Sequence, residues 1–256
     1  MRRHVLNALS ALAAVTALTV SGCSSSASKS ASAGAKGAAA STPATPAKPS
    51  PSIEAVCLQG VAGVDKTVTH FPGGNGHTVE AYTTGTGPIG VVLAHQVDST
   101  LCQWSDIRND FPDKDYTVMA ITMGGGIDTD VVKAVEKLRA KGLQKIVLVG
   151  ASMGGTAVLT AAGEITPPVQ AVVSLSGPAG YGNADAYGSV EKFQIPVAFF
   201  AGEQDLTFAT DAQKMYDAAT EKDKTIHILK DDPDHGVDLW PQVKDEVFSF
   251  ITKHTQ

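Results

Sequence analysis

A serine flanked by small residues stands in Gly150-Ala151-Ser152-Met153-Gly154, after an apolar run that predicts a strand and before residues that predict a helix. This G-x-S-x-G pattern between strand and helix is typical of a nucleophile held on a sharp turn. Two backbones crowd at such a turn, so the neighbours must be small, and the helix N-terminus offers free N–H groups to a developing anion. The alternative is a glycine-rich turn with a bystander serine. The context favours Ser152 as a nucleophile.

A serine hydroxyl is a weak nucleophile and needs a base. The best candidate is His235, in the polar loop Asp232-Pro233-Asp234-His235-Gly236 between the last predicted strand and the last predicted helix. The other histidines lie in the basic head of the N-terminal segment, beside an early hairpin, at or within strands, or in the tail: His4, His70, His77, His95, His227 and His254. Of these, His95 ends a central strand and is expected to brace the loop that follows.

The base in turn needs an acid that fixes its tautomer. Asp205 ends the segment Gly202-Glu203-Gln204-Asp205, which follows a predicted central strand. Glu203 is the second choice, and a helix-capping role for Asp205 is the alternative. Three acids near the base are less suitable, because neighbours on one tight loop rarely meet the ring nitrogen well: Asp231, Asp232 and Asp234. The chain order Ser152, Asp205, His235 differs from the orders of the chymotrypsin and subtilisin folds.

An acyl-transfer site also needs two backbone N–H groups aimed at the oxyanion of the tetrahedral intermediate. One is expected from Met153, the residue after the nucleophile. The other is expected from the loop after the strand that ends at Ala94, with Val97 favoured and Gln96 as the alternative.

Strand-like and helix-like segments alternate along the chain, and buried strands read as continuous apolar runs. The predicted strands are 67–71, 78–83, 90–94, 116–122, 145–149, 169–175, 195–200 and 225–229. The predicted helices are 128–141, 152–164, 209–220 and 239–253. This order predicts an α/β fold with a mainly parallel central sheet, helices on both faces and the first hairpin at an edge. Ligands bind at the carboxyl ends of strands in such sheets, where all the candidate residues lie.

The composition and net charge exclude some classes of binding partner. The chain has 256 residues, 43% of them hydrophobic and 18% charged, with a formal net charge of −6 and no long basic run. Nucleic acid is therefore not an expected partner, because phosphate binding needs clustered Lys and Arg. No spacing of His and Cys predicts a metal site, and Gly124-Gly125-Gly126 lacks the Lys that completes a phosphate loop. No cofactor is predicted.

The N-terminal part has the pattern of an export signal. A basic head precedes an apolar run of about 16 residues, short for a membrane span, and Val20-Ser21-Gly22-Cys23 resembles the bacterial lipobox. The alternative is an ordinary secretory signal. We expect a signal peptide at 1–22, a lipidated Cys23 that anchors the protein to the outer face of the bacterial cell membrane, a Ser/Ala/Pro-rich disordered tether over 23–52, and one domain over 53–256. Export would permit a disulfide between Cys57 and Cys102, with two separate thiols as the alternative.

From about Val64 to the end, the chain resembles the α/β-hydrolase superfamily, most closely dienelactone-hydrolase-like and related small serine esterases. The resemblance rests on His95-Gln96, Gly150 to Gly155, Gly202 to Asp205, and His235-Gly236. It implies a Ser152–Asp205–His235 triad that cleaves carboxylic esters of small-molecule substrates through an acyl-enzyme, in a protein expected to be a monomer. An acyltransferase, a peptidase and a non-catalytic surface-binding lipoprotein are the alternatives.

The sequence departs from these relatives in three places. The nucleophile position holds Ser152, where dienelactone hydrolases proper carry Cys. The stretch Ile121 to Gly126 lacks the charged Asp-x-Arg-Gly-x-Gly of many relatives. The segment 176–194 is too short for a large cap domain, so the site is expected to be open and shallow. Three aromatic residues are candidates to line it, with packing roles as the alternative: Trp104, Tyr181 and Tyr187.

Overall fold

The computed structural model describes residues 53–256. The predicted signal peptide, the predicted lipidation site at Cys23 and the predicted tether lie outside the described residues.

An eight-stranded sheet organises the domain, in the order β1-β2-β4-β3-β5-β6-β9-β10. Its strands are β1 Val68–Pro72, β2 Thr78–Thr84, β3 Ile89–Ala94, β4 Tyr116–Thr122, β5 Lys145–Ala151, β6 Ala171–Leu175, β9 Val197–Gly202 and β10 Lys224–Leu229. The β1–β2 hairpin is antiparallel and adds to β4 antiparallel, and the remaining neighbours pair in parallel. The predicted edge hairpin and the mainly parallel sheet are therefore confirmed.

Helices cover both faces of the sheet. They are α1 Ile127–Ala140, α2 Met153–Ala162, α3 Ala186–Val190, α4 Leu206–Ala218 and α5 Trp240–Thr255. Helices α1 to α4 contribute to one buried apolar cluster, and α5 contributes to the other with the short helical turns Leu101–Trp104 and Ile107–Asp110. The strands between them have buried side chains on both faces, as in β3, where the four residues 91–94 are 0% exposed. This double burial accounts for the uninterrupted apolar runs in the sequence.

The segment 176–194 contains structure that the sequence analysis did not predict. A two-stranded hairpin, β7 Gly180–Tyr181 with β8 Ala184–Asp185, leads directly into α3. No large cap is built from it, in agreement with the predicted absence of a cap domain.

A disulfide joins Cys57 to Cys102 and ties the N-terminal segment to the turn after β3. Nearby, the Glu80 carboxylate accepts hydrogen bonds from the backbone N–H groups of Glu54 and Ala55. These contacts attach the start of the described chain to the sheet. Within residues 53–256, no helix combines the length and the apolarity that crossing a bilayer requires.

Candidate active site

Ser152 occupies the sharp turn between β5 and α2. Its backbone has φ 50° and ψ −119°, a conformation in which an L residue is strained. The Ser152 N–H donates to the Leu175 carbonyl of the neighbouring strand at 2.8 Å, which fixes the turn against β6. The structure thus has the strand, strained turn and helix that the motif predicts.

The glycines of the motif are required by the close approach of backbones. A Cβ on Gly150 would lie 2.1 Å from the Gly154 carbonyl oxygen, and one on Gly154 would lie 2.1 Å from the Ala94 carbonyl oxygen. Backbone atoms cannot give way as a flexible side chain can. Helix α2 therefore starts close against both β5 and the end of β3.

His235 and Asp205 form a hydrogen-bonded pair. The distance from His235 Nδ1 to Asp205 Oδ2 is 2.7 Å, and the two side chains are 28% and 12% exposed. With a carboxylate acceptor, Nδ1 is the donor, which leaves the other ring nitrogen, Nε2, free to accept a proton. The Phe208 ring packs on the imidazole, with 4.3 Å between ring centroids.

The carboxylates of Glu203 and Asp232 accept hydrogen bonds from groups other than His235. The Glu203 carboxylate accepts the Asp231 N–H at 2.9 Å, so it holds the histidine loop rather than the histidine ring. Asp232 accepts the Asp234 N–H through Oδ1 and a hydrogen bond from the Gln242 amide through Oδ2. Of these acids, Asp205 alone hydrogen-bonds His235 among the described residues.

Met153 and either Val97 or Gln96 are the candidate backbone donors to an oxyanion predicted from the sequence. Met153 is the first residue of α2, where N–H groups have no intrahelical acceptor. The Gln96 N–H is already used, since it donates to Gln103 Oε1 at 2.8 Å. Within residues 53–256 the Val97 N–H has no hydrogen-bond acceptor. Between the two residues left open from the sequence, this pattern favours Val97.

The side chain of Gln96 connects this loop to the histidine loop. Its Oε1 accepts the Val237 N–H at 2.8 Å, two residues beyond His235. Gly236, directly after His235, has φ 59°, a backbone conformation that residues with a side chain rarely adopt, so glycine is favoured there. Gln96 thereby links the loop that carries Val97 to the loop that carries His235.

His95 supports the loop that follows β3, as expected from the sequence. Its Nδ1 is 2.6 Å from the Gln96 carbonyl oxygen, and its Nε2 accepts the Met123 N–H at 2.9 Å. These partners require a neutral ring with the proton on Nδ1. Burial lowers the pKa of His95, against smaller opposing effects of the Gln96 carbonyl and the Asp130 carboxylate.

The loops that carry the candidate residues meet at the carboxyl edge of the sheet. The turn Gly236–Leu239, directly after His235, contacts β5, β6 and β9. Strand β5 ends beside Ser152, and β9 ends shortly before Asp205. The Ser152 residue is 6% exposed, and its hydroxyl makes no hydrogen bond to another residue of the described domain. Hydrogen bonds to the nucleophile are often long in ligand-free sites and shorten when substrate binds.

The three aromatic residues suggested to line the site differ in solvent exposure. Tyr181 and Tyr187 are 39% and 40% exposed, whereas Trp104 is 0% exposed and belongs to a buried cluster. The suggestion that Trp104 lines the site is therefore wrong, and its alternative packing role holds. The helical turn at Leu101–Trp104 places the Trp104 side chain in the buried apolar cluster that also contains residues of β3 and β4.

Sequence reasoning missed three contributors: the Phe208 ring, the Gln103 amide and the Gln96 side chain. Phe208 stands three residues after Asp205, a spacing that puts both on one face of a helix, and this signal was available. The two glutamines have no comparable signal, because their contacts depend on how the turn after β3 folds.

Among residues 53–256, no group of three or more His, Cys, Asp or Glu side chains is arranged to hold a metal ion.

Comparisons with known proteins identify the architecture. A family model described as an alpha/beta hydrolase fold matches residues 109–216, which include Ser152 and Asp205 but not His235. No curated protein matches the chain.

Among solved structures, similarity extends over most of the described domain. The esterase domain of a Rhodothermus marinus protein is 19% identical with a TM-score of 0.62, over 74% of this chain and 99% of that one. A dienelactone hydrolase from Anabaena variabilis is 17% identical with a TM-score of 0.59, over 74% and 100%. An esterase from Pyrococcus furiosus is 13% identical with a TM-score of 0.63, over 74% and 91%. Together with the sheet order and the strained turn at Ser152, these matches show that the chain has the α/β-hydrolase fold.

Proposed function

We propose that this protein is a serine hydrolase that cleaves carboxylic esters through an acyl-enzyme. The observation that carries the proposal is the 2.7 Å hydrogen bond between His235 and Asp205, at the same sheet edge as the strained turn of Ser152. The esterases among the structures of similar fold are consistent with it.

The mechanism follows from the role of each group. The Ser152 hydroxyl attacks the acyl carbonyl while His235 Nε2 takes its proton, and Asp205 stabilises the resulting imidazolium. The N–H groups of Met153 and Val97 hold the oxyanion. Collapse of the tetrahedral intermediate expels the alcohol, which receives the proton from His235. Water, deprotonated by His235, then attacks the acyl-enzyme and releases the acid.

The backbone donors to the oxyanion lower the free energy of the transition state. Removing one oxyanion donor costs about 3 kcal/mol of transition-state stabilisation. The Gln96 carbonyl accepts from His95 and the Gln96 side chain holds Val237, so the oxyanion loop is preorganised by hydrogen bonds on both sides. A preorganised donor needs no rearrangement at the moment of reaction, which is the condition under which such donors are effective.

Turnover of p-nitrophenyl acetate tests the proposal. Ser152→Ala is expected to lower kcat by at least about 10³-fold, because no other nucleophile can form the acyl-enzyme. The matched control is Ser249→Ala on α5, whose hydroxyl donates to the Asp245 carbonyl away from the site. Equal rates for Ser152→Ala and the control would refute the assignment.

Anchoring through a lipid at Cys23 is a separate proposal, supported by the lipobox-like sequence and by a disulfide of the kind that persists outside the cytoplasm. Metabolic labelling of the full chain with a radioactive fatty acid tests it. Label should be lost in Cys23→Ala, and label retained there would refute the proposal.

A further inference from the structure

A cavity of about 420 Å³ opens between the turn after β4 and the β7–β8 hairpin. Its lining includes Gly124-Gly125-Gly126 on one side and Tyr181 and Asn183 on the other. This volume lies within the range of small-molecule sites. The glycine run and Tyr181, both noted in the sequence without a common role, thus meet in one place.

Both walls of the cavity are attached to the proposed catalytic elements. On one side, Met123, directly before the glycine run, donates its N–H to His95, two residues before Val97. On the other side, the Thr156 hydroxyl of α2 donates to the Pro178 carbonyl, three residues before Tyr181. One wall of the cavity is therefore connected by a hydrogen bond to the loop that carries Val97, and the other to α2, the helix that starts after Ser152.

The glycine run gives the cavity its rigid wall. A Cβ on Gly126 would lie 2.8 Å from the Gly74 Cα, so the turn after β4 packs backbone to backbone on the β1–β2 turn. The buried Asp130 carboxylate accepts the N–H groups of Gly74 and Gly124, which locks the two turns together. Asn75 adds a hydrogen bond to the Gly125 carbonyl at 2.7 Å.

The side chains that line the cavity indicate which class of ligand it can bind. Four lining residues have polar side chains that make no hydrogen bond to other residues of the described domain: Asp128, Thr129, Tyr181 and Asn183. The lining holds one carboxylate and no Lys or Arg, which disfavours a phosphate or carboxylate ligand. Amide, hydroxyl and carboxylate groups suit a ligand with several hydroxyls. The 39% exposed Tyr181 offers an aromatic ring, whose negative face attracts the C–H groups of a sugar ring.

We infer that this cavity binds a neutral polyhydroxylated group, a sugar or a similar polyol, as one part of the ester substrate. The inference rests on the proposed function, and it names the substrate class as esters of sugars or polyols. Hydrolysis then consumes one water and returns the free hydroxyl of the sugar with the carboxylic acid.

The test compares two acetate esters. One is a methyl glucoside that carries a single acetyl group on its primary hydroxyl, and the other is p-nitrophenyl acetate, which has no polyol. The measured quantity is the ratio of kcat/KM for the sugar ester to kcat/KM for p-nitrophenyl acetate. Tyr181→Ala should lower this ratio about tenfold, the loss expected for one aromatic contact. Tyr181→Phe, which keeps the ring, should retain at least half of the ratio.

The matched control is Tyr187→Ala. Tyr187 is 40% exposed in the same segment but does not line the cavity, so its removal should leave the ratio within twofold. Equal ratios in the Tyr181→Ala and Tyr187→Ala proteins would overturn the inference. A selective loss on p-nitrophenyl octanoate in Tyr181→Ala would also overturn it, because the cavity would then hold an acyl chain.

A second measurement separates this inference from the proposed function. Saturation-transfer NMR should detect binding of methyl glucoside to the Ser152→Ala protein, and the signal should disappear when Tyr181→Ala is added. If no ester is hydrolysed, the proposed function fails, and this binding result alone decides whether the cavity takes a sugar. If esters are hydrolysed but glucoside does not bind, only the sugar assignment fails.

Discussion

Replacing Asp205 by Asn isolates the role of the proposed triad acid. The Asp205 carboxylate lies 2.7 Å from His235 Nδ1 and its side chain is 12% exposed, so solvent screens the contact little. An amide at this place can donate to Nδ1, which moves the ring proton to Nε2 and leaves the nitrogen that should face serine unable to accept a proton.

The expected loss follows from two effects. Removing a charge-assisted hydrogen bond costs about 1.5–3 kcal/mol, up to about 10²-fold in rate. The wrong tautomer adds to this, and the same change in a serine protease triad lowers kcat by about 10⁴-fold, equivalent to about 5.5 kcal/mol. We therefore expect kcat of Asp205→Asn to fall between about 10² and 10⁴-fold.

The assay is hydrolysis of p-nitrophenyl acetate at pH 7, with urea unfolding to show that the variant is folded. Glu203→Gln is the matched control, since its amide oxygen can still accept the Asp231 N–H and kcat should stay within threefold. A folded Asp205→Asn protein that keeps more than a tenth of wild-type kcat would refute the reasoning. So would an equal loss in Glu203→Gln.

Three further predictions concern stability, each measured by urea unfolding. Replacing Cys57 and Cys102 by Ser opens a loop with a sequence separation of 45 residues and should cost about 4 kcal/mol in the loop-entropy model; a loss under about 1 kcal/mol would contradict it. Gly154→Ala would set a Cβ 2.1 Å from the Ala94 carbonyl oxygen and should cost at least about 1–3 kcal/mol, whereas Gly180→Ala, whose Cβ meets nothing closer than 3.4 Å, should cost less. Since burial lowers the pKa of His95, the unfolded chain binds a proton below about pH 6.5 that the folded protein does not, and stability should fall as pH falls from 7 to 5. His95→Gln should reduce that slope by up to about 1.4 kcal/mol per pH unit, and an unchanged slope would count against the neutral buried ring.

Regular elements were predictable where burial imposes a pattern. Strands such as β3 and β5 are buried on both faces and read as apolar runs, and the helical spacing of α1 appears as recurring valines and a leucine. The candidate triad residues were found because each stands in a loop that follows a strand, at the edge of the sheet where the fold collects functional groups.

Other features had no local signal. Strands β7 and β8 have two residues each, too few to show a period, and their pairing depends on the fold around α2. The burial of Trp104 depends on the turn after β3, which no periodicity reveals. The cavity beside the glycine run joins segments more than fifty residues apart, so only the folded domain brings Tyr181 to Gly125.

Reaction with a fluorophosphonate probe tests the central claim most directly, because only an activated serine attacks phosphorus rapidly. Mass spectrometry of the labelled protein should find one adduct per chain, on the peptide containing Ser152, and labelling should become far slower in His235→Ala. Folded wild-type protein that stays unlabelled beside a reactive control hydrolase, or that carries the adduct on another residue, would contradict the account.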